Sequence, residues 1–251
     1  MMTKIKTPTE IVAMRESGKM TAAIVQMLKE RIKPGISTKD LAVLAAAEIK
    51  AYGARSAFLG YMGYPDVILV SINDEVVHGI PRADKIIADG DIVKLDFGVQ
   101  YQGMITDHAI TTIAGKPKHK RHQQLVTRTL GSLEAGIFAV RDGVRTGDIG
   151  AAVQAELDQW QYGIVRDLVG HGVGHSVHEE PDIPNYGKAN TGTRLVAGMT
   201  IAIEPMATLG NYQVYVADDE WTILTTDGSM AAHFEHTVLI TAEGAEILTT
   251  L

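Results

Sequence analysis

Apolar residues recur at helical spacing in the first part of the chain and then give way to alternation. Ile11, Met14, Met20, Ile24, Met27 and Leu28 keep to one helix face as far as about Ile32, and Pro34-Gly35 ends the run. Thr7-Pro8-Thr9-Glu10 reads as the start of that helix, a hydroxyl cap followed by a first-turn proline. Ser37-Thr38-Lys39-Asp40 caps a second helix, with Leu41, Leu44, Ala45 and Ile49 on one face and an end near Gly53. Phe58 to Pro65 is loop-like and aromatic, Val67 to Ile72 predicts a strand, and residues 73–81 lead to a hairpin over residues 92–113. Its first strand alternates Val93, Leu95, Phe97 and Val99 with Lys94, Asp96 and Gly98, so Asp96 leaves the apolar side. With a four-residue loop, Gln100 to Gly103, Asp96 falls opposite Asp107. Two carboxylates so placed lie about 5 Å apart at Cβ and repel, unless a cation stands between them. A lone strand aspartate most often faces water, and what argues against that here is the recurrence of acids and histidines on later strand-like segments.

The second half opens as the first does. Residues 117–139 predict a long helix, and VRDGVRTGDI at Val140 to Ile149 repeats IKPGISTKDL at Ile32 to Leu41, 108 positions earlier. Ala155-Glu156-Leu157 echoes Ala47-Glu48-Ile49 at the same offset, which also carries Asp96 onto Glu204. The repeat implies a duplicated unit, with halves of about 1–115 and 116–251 around a pseudo-twofold axis. No Gly/Ser linker or charge block separates them, so a single domain over 1–251 with a continuous sheet is expected. Short turns between strands favour an antiparallel or mixed central sheet flanked by helices, an α+β class.

Composition narrows the function classes. The 251 residues are 45% hydrophobic and 21% charged, enough for a sizeable core. No apolar run is long enough to span a membrane, and the start MMTKIKTPTE lacks the apolar core of a secretory signal, so a cytoplasmic protein is expected. With no cysteine, disulfides, thiolate zinc sites and cysteine nucleophiles are excluded. A net charge of −7 argues against a nucleic-acid partner. The basic cluster from Lys116 to Arg121 reads as the solvated start of a helix.

Candidate chemistry collects in three further segments. GHGVGHSVHEEP, Gly170 to Pro181, holds three histidines among three glycines and is too glycine-rich for a helical zinc motif. In TIAIEPM, Thr200 to Met206, Glu204 faces away from Ile201 and Ile203. In AHFEHTVLIT, Ala232 to Thr241, Glu235 shares a face with His233 and Thr237, opposite Phe234, His236 and Val238. A carboxylate embedded in a core strand needs a partner. Asp96, Asp107, His171, Glu204 and Glu235 form an oxygen-rich set that suits a pair of divalent transition ions. The implied chemistry is metal-assisted hydrolysis.

DFGVQYQGMITD, GHGVGHSVHEEP, TIAIEP and FEHTVLIT, together with IKTPTEI at Ile5 and NDEVVHGIP at Asn73, resemble the successive motifs of the type I methionine aminopeptidases. These are pita-bread metallohydrolases, and the resemblance spans nearly the whole chain. It implies the pita-bread fold, two divalent metal ions per chain (Co, Mn, Fe or Zn), and removal of N-terminal methionine before a small second residue. By resemblance Asp96, Asp107, His171, Glu204 and Glu235 are the metal ligands, with Asp107 and Glu235 bridging. His178 stabilises the tetrahedral intermediate, Glu204 also shuttles the proton, and His78 sits beside the bound peptide. Phe58, Tyr61, Tyr64, Leu69, Val177 and Trp221 would line the methionine pocket, whose apolar walls suit a flexible thioether. The partners implied are N-termini of nascent chains and, transiently, the ribosome; a monomer is expected, with no nucleic acid and no membrane. Met1 of the chain itself would be retained, because the bulky Met2 follows it.

The sequence departs from the family in having no pocket cysteine, in His108-Ala109 where a small hydroxyl residue is common, and in His175. These bear on pocket detail and metal preference. Xaa-Pro peptidases share the fold and ligands, but they and the creatinase-like hydrolases carry a large extra N-terminal domain for which there is no room. Non-catalytic pita-bread modules that bind histones or RNA have lost ligands that this chain keeps.

Overall fold

The structure, a computed structural model, describes residues 2–251; Met1, whose retention is expected, lies outside them. Helix α1 (Pro8–Arg31) begins with a capping box, in which the Thr7 hydroxyl accepts from Glu10 N and the Glu10 carboxylate accepts from Thr7 N. Ser37 and Asp40 build the same device for α2 (Thr38–Ala51). Strands β1 (Arg55–Ser56), β2 (Leu69–Ile72), β3 (Glu75–Val77), β4 (Ile92–Tyr101) and β5 (Met104–Ile113) follow, with one 3₁₀ turn at Tyr61–Gly63. Helices α3 (Lys120–Phe138) and α4 (Thr146–Asp158) open the second half, and the basic residues from Lys116 to Arg121 are exposed at the start of α3. Next come β6 (Gly163–Ile164), β7 (Gly170–Gly172), β8 (Glu179–Ile183), β9 (Thr200–Ile203) and β10 (Met206–Thr208). The chain finishes with β11 (Val214–Val216), β12 (Ile223–Thr225), β13 (Ala231–His233), β14 (Glu235–Ile240) and β15 (Ala245–Ile247).

The central sheet runs β1-β4-β5-β14-β9-β7-β8, with β2 also on β4 and β15 on β14, and its ladders are antiparallel. Two helix-backed clusters cover one face. Ile24, Leu28, Leu41 and Ile49 pack with Leu95 and Phe97, while Leu125, Leu133, Ile149 and Val153 pack with Ile201, Ile203 and Val238. Each such side chain contributes about 1.5–3 kcal/mol on burial. The helix side therefore carries the stability, and the other face of β4 is left to polar groups.

The sequence repeat has a backbone counterpart. Gly35 N donates to Ile87 O as Gly143 N does to Leu195 O, and Thr38 N donates to Lys85 O as Thr146 N does to Thr193 O. The isolated bridges Ser37↔Ile86 and Arg145↔Arg194 stand at the same offset.

Two expectations are corrected. The hairpin turn is two residues long, Gln102-Gly103 with φ of 49° and 82°, so Asp107 faces Gly98 and Asp96 faces Ala109. The shift is an even number of positions, so both aspartates stay on one face as diagonal neighbours. A Cβ at Gly98 would lie 2.8 Å from Ala57 Cβ and 3.1 Å from Phe58 Cε1, so glycine is what lets the pocket loop sit against Asp107's partner position. The central sheet does run continuously from one half into the other through the β5/β14 ladder, while β13-β10-β6 and β11-β12-β3 form two further three-stranded sheets. Finally, the segments at 200–206 and 232–241 are not single strands. Each leaves the central sheet for the β10/β13 sheet, one at Glu204-Pro205 and the other at Phe234. Proline has no N–H for a ladder, which accounts for the first break.

Candidate metal centre

Asp96 and Asp107 project from β4 and β5, Glu235 from the first residue of β14, Glu204 from the residue after β9, and His171 from the middle of β7. The first three share a face through the register Asp96↔Ala109↔Glu235. Gly170 and Gly172 bracket His171; a Cβ at Gly170 would stand 2.4 Å from Ala202 O, so only glycine lets β7 close on β9 here. One ligand atom each from Asp107, His171 and Glu235 lies within 4.8 Å of the others. Glu204 joins them, with Oε1 3.4 Å from His171 Nε2.

Neighbours hold these groups in place. Thr237 Oγ1 accepts from Asp107 N and donates to Asp107 O, both at 2.8 Å, and Asn185 Nδ2 donates to Glu204 O at 3.0 Å. His171 Nδ1 can only donate to Gly172 O, at 3.0 Å, which leaves the Nε2 lone pair turned to the acids.

The electrostatics call for cations. Burial pushes the Asp107 carboxyl up to about 7. Burial raises Asp96, Glu204 and Glu235 well above the usual carboxylate range, and the Asp107 charge adds to it. Among the described residues, buried Asp96 Oδ1 and Glu235 Oε1 have no hydrogen-bond partner. Four crowded carboxyl groups with orphaned acceptors, beside a histidine with a free lone pair, fit divalent metal ions held by oxygen and nitrogen. Burial also lowers the neighbouring imidazoles, His171 to about 3 and His78 to about 4, and pulls His178 down.

A cavity of about 120 Å³ joins this cluster to an apolar wall. Phe58, Tyr61, Tyr64, Leu69, Trp221, His78 and His178 line it with the acids. Val177 does not reach the lining; it lies behind it, packed with Phe58, Tyr64 and Leu69. Tyr64 and Trp221 meet edge to face at 5.1 Å. Tyr61 Oη and His178 Nδ1 share a hydrogen bond of 2.9 Å, and the His178 ring stands 4.3 Å from that of His171. His78 reaches the cavity from a left-handed backbone, φ 61°, just after β3.

Sequence reasoning missed Met62, 81% exposed at the cavity mouth, and His233, whose Nε2 is 3.6 Å from Glu204 Oε2. The aromatic stretch around Met62 and the face that His233 shares with Glu235 were the available signals.

The sequence pattern of metallopeptidase family M24 matches residues 12–242. The methionine aminopeptidase of Mycoplasma capricolum is 43% identical over 248 residues, 99% of this chain and 98% of that protein. Methionine aminopeptidase 1 of Bacillus subtilis is 44% identical, over 97% of this chain and 98% of its own length. Among solved structures, methionine aminopeptidase from Thermotoga maritima superposes with a TM-score of 0.98 at 44% identity, each chain covered completely. An Xaa-Pro dipeptidase from Bacillus anthracis superposes at 0.80 with 24% identity, over 98% of this chain and 62% of that one, and so shares the fold.

Proposed function

The chain belongs to metallopeptidase family M24, and on that premise we propose that it is a metal-dependent aminopeptidase that removes methionine from polypeptide N-termini. The observation that carries this reading is the continuity of one cavity, apolar at one end and walled by carboxylates and imidazoles at the other. The apolar end, with Phe58, Tyr64, Leu69 and Trp221, takes the thioether; the polar end takes the scissile carbonyl. Asp96, Asp107, His171, Glu204 and Glu235 would hold two ions of Co, Mn, Fe or Zn, with Asp107 and Glu235 in the shared position. When bound, such ions supply Lewis acidity and activate water for attack near neutral pH.

The protein groups do the rest. Tyr61 donates to His178 Nδ1, so His178 Nε2 keeps a proton to give to the oxyanion. Glu204, between His171 and His233, takes the proton of the attacking water and passes it to the leaving amine. His78 orients the peptide from the cavity wall. The second residue of the substrate is small, as the family resemblance implies. The reading includes a monomer working in the cytoplasm on nascent chains, with transient ribosome contact, and descent of the halves 1–115 and 116–251 from one duplicated unit, supported by the matched backbone bonds.

Peptides beginning Met-Ala, Met-Met, Nle-Ala, Val-Ala and Ala-Pro, assayed anaerobically with added Mn, Fe or Co, test it. Met-Ala should be cleaved best and Nle-Ala only modestly less, since a methylene-scale difference is worth about 1–3 kcal/mol. His178→Ala should keep its metal and lose kcat by roughly 10²-fold. Cleavage of Ala-Pro with none of Met-Ala would overturn the proposal.

A further inference from the structure

Lys94 lies in β4 two residues before Asp96, with 1% of its surface exposed. A buried lysine without a carboxylate partner costs several kcal/mol, so its retention needs a reason. Among the described residues its Nζ pairs with no acid and instead donates to Asn73 O at 2.8 Å and Ala231 O at 3.2 Å. The two carbonyls belong to different elements. Asn73 sits in a left-handed turn, φ 59°, between β2 and β3; its carbonyl also accepts from Ala231 N, and its amide donates to Ile92 O. Ala231 is the first residue of β13.

Thr111, directly across the hairpin from Lys94, grips the other end of β13: its hydroxyl accepts from His233 N at 2.9 Å and donates to His233 O. The β4/β5 hairpin that carries Asp96 and Asp107 thus clamps a strand of a different sheet at both ends. That strand holds His233 beside Glu204, and the Asn73 turn feeds β3, which His78 immediately follows.

We propose that Lys94 is a positioning residue for the reaction, fixing β13 and the Asn73 turn on β4 so that His233 meets Glu204 and His78 faces the cavity. This rests on the proposed aminopeptidase reading for its catalytic consequence, but the clamp itself is measurable without turnover. In metal-loaded Lys94→Met, which keeps the stem and loses the donors, kcat on a Met-Ala peptide should fall roughly 10- to 100-fold, the scale of a small misplacement of reacting groups. KM should stay within about twofold, because the methionine pocket does not touch Lys94. Bound metal should be unchanged. Hydrogen exchange at the Ala231 and His233 amides should quicken by roughly tenfold or more while β4 stays protected.

In Lys94→Ala, butylammonium should restore part of kcat, and tetramethylammonium, equally charged but without an N–H donor, should not. A folded, loaded Lys94→Met with kcat within about twofold of wild type, with unchanged exchange at Ala231 and His233, or with lost metal overturns the proposal. Should that variant not fold, Lys94→Ala prepared in butylammonium decides: folded protein with restored kcat supports the assignment, and folded inactive protein or none at all overturns it. A wild-type protein that fails to cleave Met-Ala peptides would count against the aminopeptidase reading alone, because the exchange measurement still reports on the clamp.

Discussion

Glu10 serves two partners at the start of α1. One carboxylate oxygen accepts from Thr7 N and Thr7 Oγ1 at 2.7 and 2.9 Å, and the other takes His175 Nε2 at 2.8 Å. The Thr7 backbone bond, then the His175 bond, hold its carboxyl down at about 2 against an ordinary 4.5. A depressed carboxyl contributes stability that is fully present above its ordinary value and is lost as pH falls towards the folded one. The melting-temperature gap between wild type and Glu10→Gln should therefore be constant above about pH 5 and close between about pH 4.5 and 2. A gap that stays constant to pH 2 would remove the bond network from the account. The Thr7–Glu10 half of this was legible in TPTE because a capping box is local. The His175 half was not, since its partner lies 165 residues away and only the tertiary fold sets the GHSVH loop on the α1 start.

Within α3, two glycines make opposite predictions. At Gly131 an added Cβ would meet only Glu156 side-chain atoms at 3.6 Å and beyond, whereas at Gly136 it would come within 2.8 Å of Val153 Cγ2 and 3.3 Å of Ile203 Cγ2. Ala is preferred to Gly in a helix by about 0.8–1.0 kcal/mol. Gly131→Ala should accordingly raise stability in urea melts by up to about that amount. Gly136→Ala should lower it, because packing of α3 on α4 and β9 outweighs the propensity; a gain at both positions would mean that the contact yields freely. The hairpin shows the same limit on local reading. Alternation placed Asp96 and Asp107 on one face, but the loop length came from turn chemistry, and Gln102-Gly103 with both φ positive closes in two residues. Similarly, alternation ran straight through Glu204-Pro205 and Phe234, where strands change sheets.

For the whole molecule, the crowding of four carboxyl groups, Asp96, Asp107 and Glu235 buried and Glu204 partly so, couples folding to metal. An ion that binds only the folded chain should stabilise it by about 2.7 kcal/mol at a free concentration 100 times its Kd. Calorimetric melts of metal-stripped protein should move upward with added Mn or Co, and Asp107→Asn should shrink that shift and abolish activity, because on the proposed assignment a shared ligand oxygen and its charge are gone. Full metal loading and near wild-type turnover in that variant would refute a centre with two ions. Much of this was written along the chain: the helices, their caps, the 108-residue repeat and the acid-bearing strands follow from local spacing, and the motif order pointed to the aminopeptidase family. What needed the tertiary structure was the set of long-range contacts: the diagonal placement of Asp96, opposite Ala109, and Asp107, opposite Gly98, the seating of Val177 behind the cavity wall, and the approach of His233 to Glu204. The physical reason is that periodicity reports which face a side chain takes. How far it stands from a side chain on another strand depends on turn length, strand breaks and packing between sheets, which a linear pattern does not encode.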